Sequence, residues 1–299
     1  LEAQRAMAVQ FPINAFLDSL DPDPAQALRL GRELGIHCYA LRFFPSGRFP
    51  AISDEDWRWI KATHDEGACG VESVSPGVNK GLFEASSIDA ITDQIQETID
   101  KACKIGVRKL SLFTWRKTAH AAAPRGDTPS PDMPTAIPNL LYRMADAAEN
   151  AGLRLTIENE PTQWGDTGLA VGSIILAADH RWMRVLWDPA NSLAARAAWG
   201  LREGDRALAD PTGVLIDELR QLADRLEDVH VRDIRIASDG RWRWVPLGEG
   251  VIDWPRLLEA LDQAGYRGGL TLEPHLQPKN ERARHAVDYL RSIMQASAA

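Results

Sequence analysis

At 299 residues and 44% hydrophobic content, the chain can bury one large core, in two small domains or in one α/β barrel. Its 34 Lys and Arg against 42 Asp and Glu give a formal charge of -8, which opposes a nucleic-acid or anionic-membrane footprint and favours a small or neutral partner. Three cysteines, Cys38, Cys69 and Cys103, are odd in number and far apart, so a disulfide framework is not expected. A reducing cytoplasm is the expected location.

The leading residues LEAQRAMAVQ lack the apolar run and cleavage pattern of a secretory signal, and no stretch reaches the roughly eighteen apolar residues of a membrane span. Short apolar, β-rich runs then follow at Ala8 to Ile13, Ile36 to Phe43, Gly70 to Ser75, Lys109 to Trp115, Arg154 to Glu160, Met183 to Asp188, Asp228 to Asp233 and Gly269 to Pro274. Each is short and mostly apolar on both faces, as strands of a covered parallel sheet are. Between them lie segments of helical spacing, such as the one that aligns Ile88, Ile91, Ile95, Ile99 and Cys103. Ser53 precedes an acidic first turn as an N-cap, and Gly35, Gly67, Gly106, Gly152 and Gly265 each follow a helical run where a C-terminal glycine ends it. The alternation predicts a (β/α)8 TIM barrel, one domain over residues 1–299. The competing open doubly wound sheet wants a glycine-rich loop after the first strand, and Phe11 to Leu20 contains no glycine.

Polar residues at the carboxyl ends of barrel strands carry the functional interest. The fifth run ends IENEP, with Glu158 and Glu160 on one face by period-two alternation; the sixth ends WDPAN, the seventh reads VHVRD and the eighth LTLEPH. Four successive units thus each offer a ligand-type side chain: Glu158, Asp188, His230 and Glu273. Three carboxylates and an imidazole on one spot repel one another unless a divalent cation neutralises them. Each residue also has a plainer reading. A strand-end Glu is often a surface group, Asp188 can cap the next helix or start a turn, and a lone His is often a core side chain.

The motifs IENEP, WDPAN, HVRD, LGEGVIDWPRLLEAL and LTLEPH, in that order, resemble the xylose isomerase-like TIM-barrel superfamily of sugar-phosphate isomerases and epimerases, and in particular proteins of the D-tagatose 3-epimerase type. By that resemblance Glu158, Asp188, His230 and Glu273 bind one divalent metal ion, and Glu158 and Glu273 also move protons. An oxygen-rich donor set suits Mn, Mg or Co more than Zn. The implied activity is a metal-dependent isomerase or epimerase acting on a small sugar, keto-sugar or sugar derivative by proton transfer through a metal-stabilised enediolate. Loss of a β-hydroxyl from the same species would instead make a lyase or dehydratase acting on a keto-inositol or oxidised glycoside.

Four further residues are candidates for substrate binding. Asn191 stands where the ketose 3-epimerases usually carry a histidine, so the chain departs from that subgroup. Arg232 shares a face with His230 and holds a polar substrate group, or else pairs with Asp233 or Glu249. Glu160 contacts substrate, supports the ligands or lies at the surface. Trp115 follows the fourth strand and offers an apolar wall to a sugar face, as Trp164, Trp242 and Trp244 could from neighbouring loops, although core packing is the ordinary role of tryptophan. LGEGVID reads as a structural turn with Asp253 as helix cap rather than an anion cradle. His275 is expected to point away from the ligands. The expected partner is a small-molecule carbohydrate, with no nucleic acid and no membrane, and self-association as a homo-oligomer is left open. An abasic-site endonuclease, which the superfamily includes, would need extra histidines where this chain has Arg42 and Ser75, and its DNA substrate is opposed by the acidic charge. A catalytically silent partner subunit is disfavoured by the presence of both Glu158 and Glu273.

Overall fold

In the computed structural model, residues 10–122, 128–201 and 204–296 are described. Eight strands hydrogen-bond side by side into a closed barrel: β1 (Ile13–Phe16), β2 (Cys38–Leu41), β3 (Gly70–Val74), β4 (Lys109–Leu112), β5 (Arg154–Glu158), β6 (Met183–Trp187), β7 (Leu226–Val231) and β8 (Leu270–Leu272). Each strand pairs in parallel with the next in sequence, and β8 closes on β1 with Leu270 opposite Ile13. Every strand is followed by a helix of ten or more residues, from Pro24–Glu33 after β1 to Lys279–Ala296 after β8. This is the (β/α)8 barrel that the alternation predicts.

The first strand starts later than the apolar run implies. Ala8 and Val9 lie outside the described residues, and pairing begins at Ile13, directly after Pro12. Proline has no N–H to donate to a ladder, whereas its carbonyl still accepts from Leu270. Other strands are shorter than expected because the chain leaves the ladder at the rim. Phe43–Phe44 belongs instead to a small hairpin with Gly47–Arg48, and Asp233–Ile236 pairs with Trp242–Val245 in another.

Helix punctuation follows the sequence closely. Ser53 Oγ accepts the N–H of Asp56, and the five helix-ending glycines all have positive φ, Gly152 at 75° for example. The stripe on Ile88–Cys103 is only partly as predicted. Ile95 and Ile99 are buried but Cys103 is exposed, and Ala102 takes the buried place. Steps of four residues drift about 40° on a 3.6-residue helix, so Cys103, three such steps beyond Ile91, has turned away from the core.

Alternation along the strands divides two layers. Leu110, Leu112, Leu155, Ile157, Val185 and Val229 are fully buried, between sheet and helices. Lys109, Thr156 and Asp228 have the opposite parity and enter the barrel, where Lys109 Nζ reaches Glu72 at 2.5 Å and Asp228 at 3.6 Å. The same parity, carried two residues further on β5 and β7, sends Glu158 and His230 into the barrel at its carboxyl end. No helix among the described residues is long and apolar enough to cross a membrane.

Candidate metal centre at the carboxyl end of the barrel

Glu158 closes β5, Asp188 follows β6, His230 is the penultimate residue of β7 and Glu273 follows β8. Their donor atoms lie within 4.8 Å of one another and all four residues are buried. His230 Nδ1 stands 3.3 Å from both Glu158 Oε1 and Glu273 Oε2, yet has no hydrogen bond to either. Asp188 Oδ2 and Glu273 Oε2 are likewise buried without a properly aligned donor. A buried polar atom without an aligned hydrogen bond is costly; Arg232 stands against the two carboxylate oxygens as an ion-pair partner, while His230 Nδ1 has only carboxylates beside it. Four donors of the type that bind divalent cations, gathered at one point, three of them with an atom that makes no hydrogen bond, fit one metal ion.

Asp188 answers both readings of its sequence. Its Oδ1 accepts the N–H of Asn191 at 2.8 Å and caps helix Pro189–Ala198, while Oδ2 faces the cluster. A residue that sequence reasoning passed over holds it there. Asn159, fully buried between Glu158 and Glu160, accepts the Asp188 N–H at 2.8 Å through Oδ1 and donates Nδ2 to the Asp188 carbonyl at 3.0 Å. The Asn191 side chain donates to the Asn159 carbonyl at 2.8 Å. The IENEP and WDPAN loops are thereby locked together. The available signal was the asparagine itself, which inside an apolar strand end must find partners for its amide.

Cations surround the donors. Arg232 pairs with Asp188 Oδ2 and approaches Glu273 Oε2 at 3.4 Å, its guanidinium 4.3 Å from the Trp244 ring centre. Its partners are therefore Asp188 and Glu273 and not Asp233 or Glu249. Asp233 instead accepts the N–H groups of Gly248 and Gly250, each at 3.1 Å, so the glycines of LGEGVID close a turn around a carboxylate of the chain itself. A Cβ on Gly250 would fall 1.9 Å from Asp233 Oδ1, which is why glycine is needed there. Asp253 caps the following helix through Arg256 N–H, as expected.

Arg42, just past β2, pairs with Glu273 and with Asp18. The rule that singled out the four donors, a polar side chain at a strand's carboxyl end, applied equally to Arg42. Charge sets the protonation of the cluster. Burial works to raise the Glu273 pKa, but Arg232, Arg42 and His230 hold it well below the usual carboxylate range. Burial likewise opposes ionisation of Glu158, and His230 outweighs it, lowering the pKa. For Asp188 burial prevails over Arg232 and the carboxyl rises to about 6. Burial pulls the His230 imidazole down, while Glu158 and Glu273 push it up further, to about 10.

The remaining candidates are spread around this centre. Glu160 stands at the rim, 3.2 Å from Lys80 Nζ. Asn191 is buried in the loop lock described above. Trp115 is 1% exposed, edge-on to Phe83 at 5.5 Å, so its ring is packed as core rather than presented as an open wall. His275 Nε2 lies 3.7 Å from Glu273 Oε1, outside the set of four donors.

The model of the family described as xylose isomerase-like TIM barrel matches residues 28–293. No curated protein matches the chain. Among solved structures, the IOLI protein with a bound zinc atom superposes with a TM-score of 0.74 at 12% identity, covering 96% of this chain and 99% of that one. A xylose isomerase-like TIM barrel protein from Mycobacterium smegmatis in complex with magnesium gives 0.70 at 15%, covering 98% and 99%. An L-ribulose 3-epimerase gives 0.65 at 18%, covering 95% and 94%. At these identities the structures speak for the fold alone, and it is the family match over most of the sequence, on a closed eight-stranded parallel barrel, by which the chain belongs to the xylose isomerase-like TIM barrel family.

Proposed function

We propose that this chain is a metal-dependent isomerase or epimerase of a small sugar or keto-sugar, with Glu158 and Glu273 as the proton-moving residues and Glu158, Asp188, His230 and Glu273 as the ligands of one divalent ion. The observation that carries the reading is the convergence of four buried donors within 4.8 Å, three of them with an orphaned atom facing the others. Two matched structures carry zinc and magnesium by name, and one is an L-ribulose 3-epimerase; the oxygen-rich donor set here favours Mn, Mg or Co over Zn. A divalent ion held there supplies Lewis-acid polarisation of a substrate carbonyl and its neighbouring hydroxyl.

The chain's own groups do the rest. Glu158 and Glu273 are ionised, so each can accept a proton from a carbon beside the carbonyl. They come from β5 and β8, which are not neighbours in the barrel, and so reach a bound substrate from different sides. If they address one carbon, removal by one and return by the other inverts configuration; a single carboxylate serving two adjacent carbons gives isomerisation. Arg232 and Glu160 are the polar groups we assign to holding substrate hydroxyls. The test is exchange of solvent deuterium into a panel of ketoses, keto-inositols and oxidised glycosides together with their carboxylated and phosphorylated counterparts. Exchange beside the carbonyl is expected with at least one, and Glu158→Gln and Glu273→Gln should each lower turnover by about 10³-fold or more with the fold retained. Absence of exchange across the panel, or near-normal turnover in either variant, refutes the two-glutamate chemistry.

A further inference from the structure

One cation near the donor cluster has no acidic partner among the described residues. Arg48, on the hairpin after β2, donates Nε to the Ser75 carbonyl at 3.1 Å and Nη2 to Ser75 Oγ at 3.2 Å, and pairs with no carboxylate among the described residues. Its third nitrogen, Nη1, has no hydrogen-bond partner there. The guanidinium is seated deliberately: Gly77, at φ 74°, lies so close that a Cβ would fall 2.5 Å from the Arg48 Cζ and Nε. On its other side Phe43, 46% exposed, has Arg48 at 4.7 Å and Arg42 at 5.5 Å from its ring centre. Burial and then the neighbouring Arg42 push the Arg48 pKa down to about 10, while Glu158 and Glu273 act in the other direction, so the group remains charged at neutral pH and lies within electrical reach of the cluster.

The charge balance points the same way. Glu158, Asp188, Glu273 and Asp18 are equalled in number by Arg42, Arg232, Lys279 and Arg48, and Glu160 is matched by Lys80. Below them Glu72 and Asp228 outnumber Lys109 by one, so a divalent ion on a neutral His230 leaves the site with one positive charge in excess. A neutral sugar leaves that excess uncompensated, whereas a planar, half-buried guanidinium with a free N–H edge is suited to an oxyanion.

We infer that the substrate carries an anionic group, a carboxylate or a phosphate, that is received by Arg48 at the edge of the metal centre. The inference rests on the proposed function and narrows its substrate class to acidic sugars.

The test is calorimetric titration of the Mn²⁺-loaded chain with D-glucuronate, D-glucose 6-phosphate and D-glucose at equal ionic strength. At least one anion should bind about tenfold or more tightly than glucose, and the better of the two tells carboxylate from phosphate. Arg48→Gln should erase this advantage, and Arg48→Lys should keep part of it, with Mn²⁺ stoichiometry and melting temperature as in the parent. Equal binding of anionic and neutral sugars, no binding of either anion, or an advantage that persists in Arg48→Gln overturns the inference; the first two arise in the parent protein and do not depend on how the variants fold. A chain that takes up no Mn²⁺ refutes the metal reading instead, and the same titrations of the metal-free chain and its Arg48→Gln variant then decide the anion site on their own.

Discussion

Asp188 shows how much one side chain can carry. One oxygen accepts the Asn191 N–H in the first turn of a helix and the other faces the donor cluster, so helix cap and cluster member are a single rigid unit. Its backbone is fixed in turn by the Asn159 amide, which bonds both its N–H and its carbonyl. Groups that orient metal ligands from behind typically change affinity by about 10- to 100-fold when removed. Asn159→Ala is therefore expected to weaken Mn²⁺ binding by about that factor, measured by calorimetry, while far-ultraviolet circular dichroism stays native. An unchanged affinity would show that the helix cap alone holds Asp188. The four donors were legible from sequence because each ends its own strand. Arg42, Arg48 and Asn159 were not, since an arginine or asparagine beside a strand end looks the same whether it faces solvent or a buried carboxylate.

Between elements, the loops that bear the site are tied to the outer helices by buried charge. Glu218, 1% exposed on helix Pro211–Leu222, accepts at Oε1 from Gly168 N–H (2.7 Å), Ser192 Oγ (2.7 Å) and Trp187 Nε1 (2.8 Å), and its Oε2 is 2.7 Å from Arg196. It thus joins the helix after β5 to β6 and to the helix that Asp188 caps. Removing one partner of a buried ion pair leaves the other charge uncompensated, at a cost of about 3–5 kcal/mol. Glu218→Ala should lower the unfolding free energy by roughly that amount in urea titrations, and a loss below about 1 kcal/mol would mean that water replaces the carboxylate. Alternation and helix caps were legible at this scale because they are local. The late start of β1 at Pro12 and the drift of Cys103 out of its stripe also follow from local rules, applied more strictly than a count of apolar residues applies them.

For the molecule as a whole, the donor cluster joins β5, β6, β7 and β8, so an ion bound there would hold together strands from half the barrel. A ligand that binds only the folded state, present at about 100 times its Kd, adds about 2.7 kcal/mol of stability. For a chain of this size that corresponds to a rise of roughly 5 °C in Tm. Thermal melts with and without Mn²⁺ should show it, with reversal by EDTA, and an unchanged Tm would count against a resident ion. The sequence by itself determined the barrel, because strand and helix periods, caps and glycines are short-range patterns. It also determined the four donors, because period-two alternation and strand ends place them without reference to distant contacts. What only the tertiary structure decided is what surrounds those donors: Arg232 turned onto Asp188 and Glu273 and away from Asp233, Arg42 brought onto Glu273 from the far side of the sequence, and Arg48 seated against Gly77 without an acidic partner among the described residues. Such pairings depend on which strand ends meet when the barrel closes, and no local pattern in the chain records that.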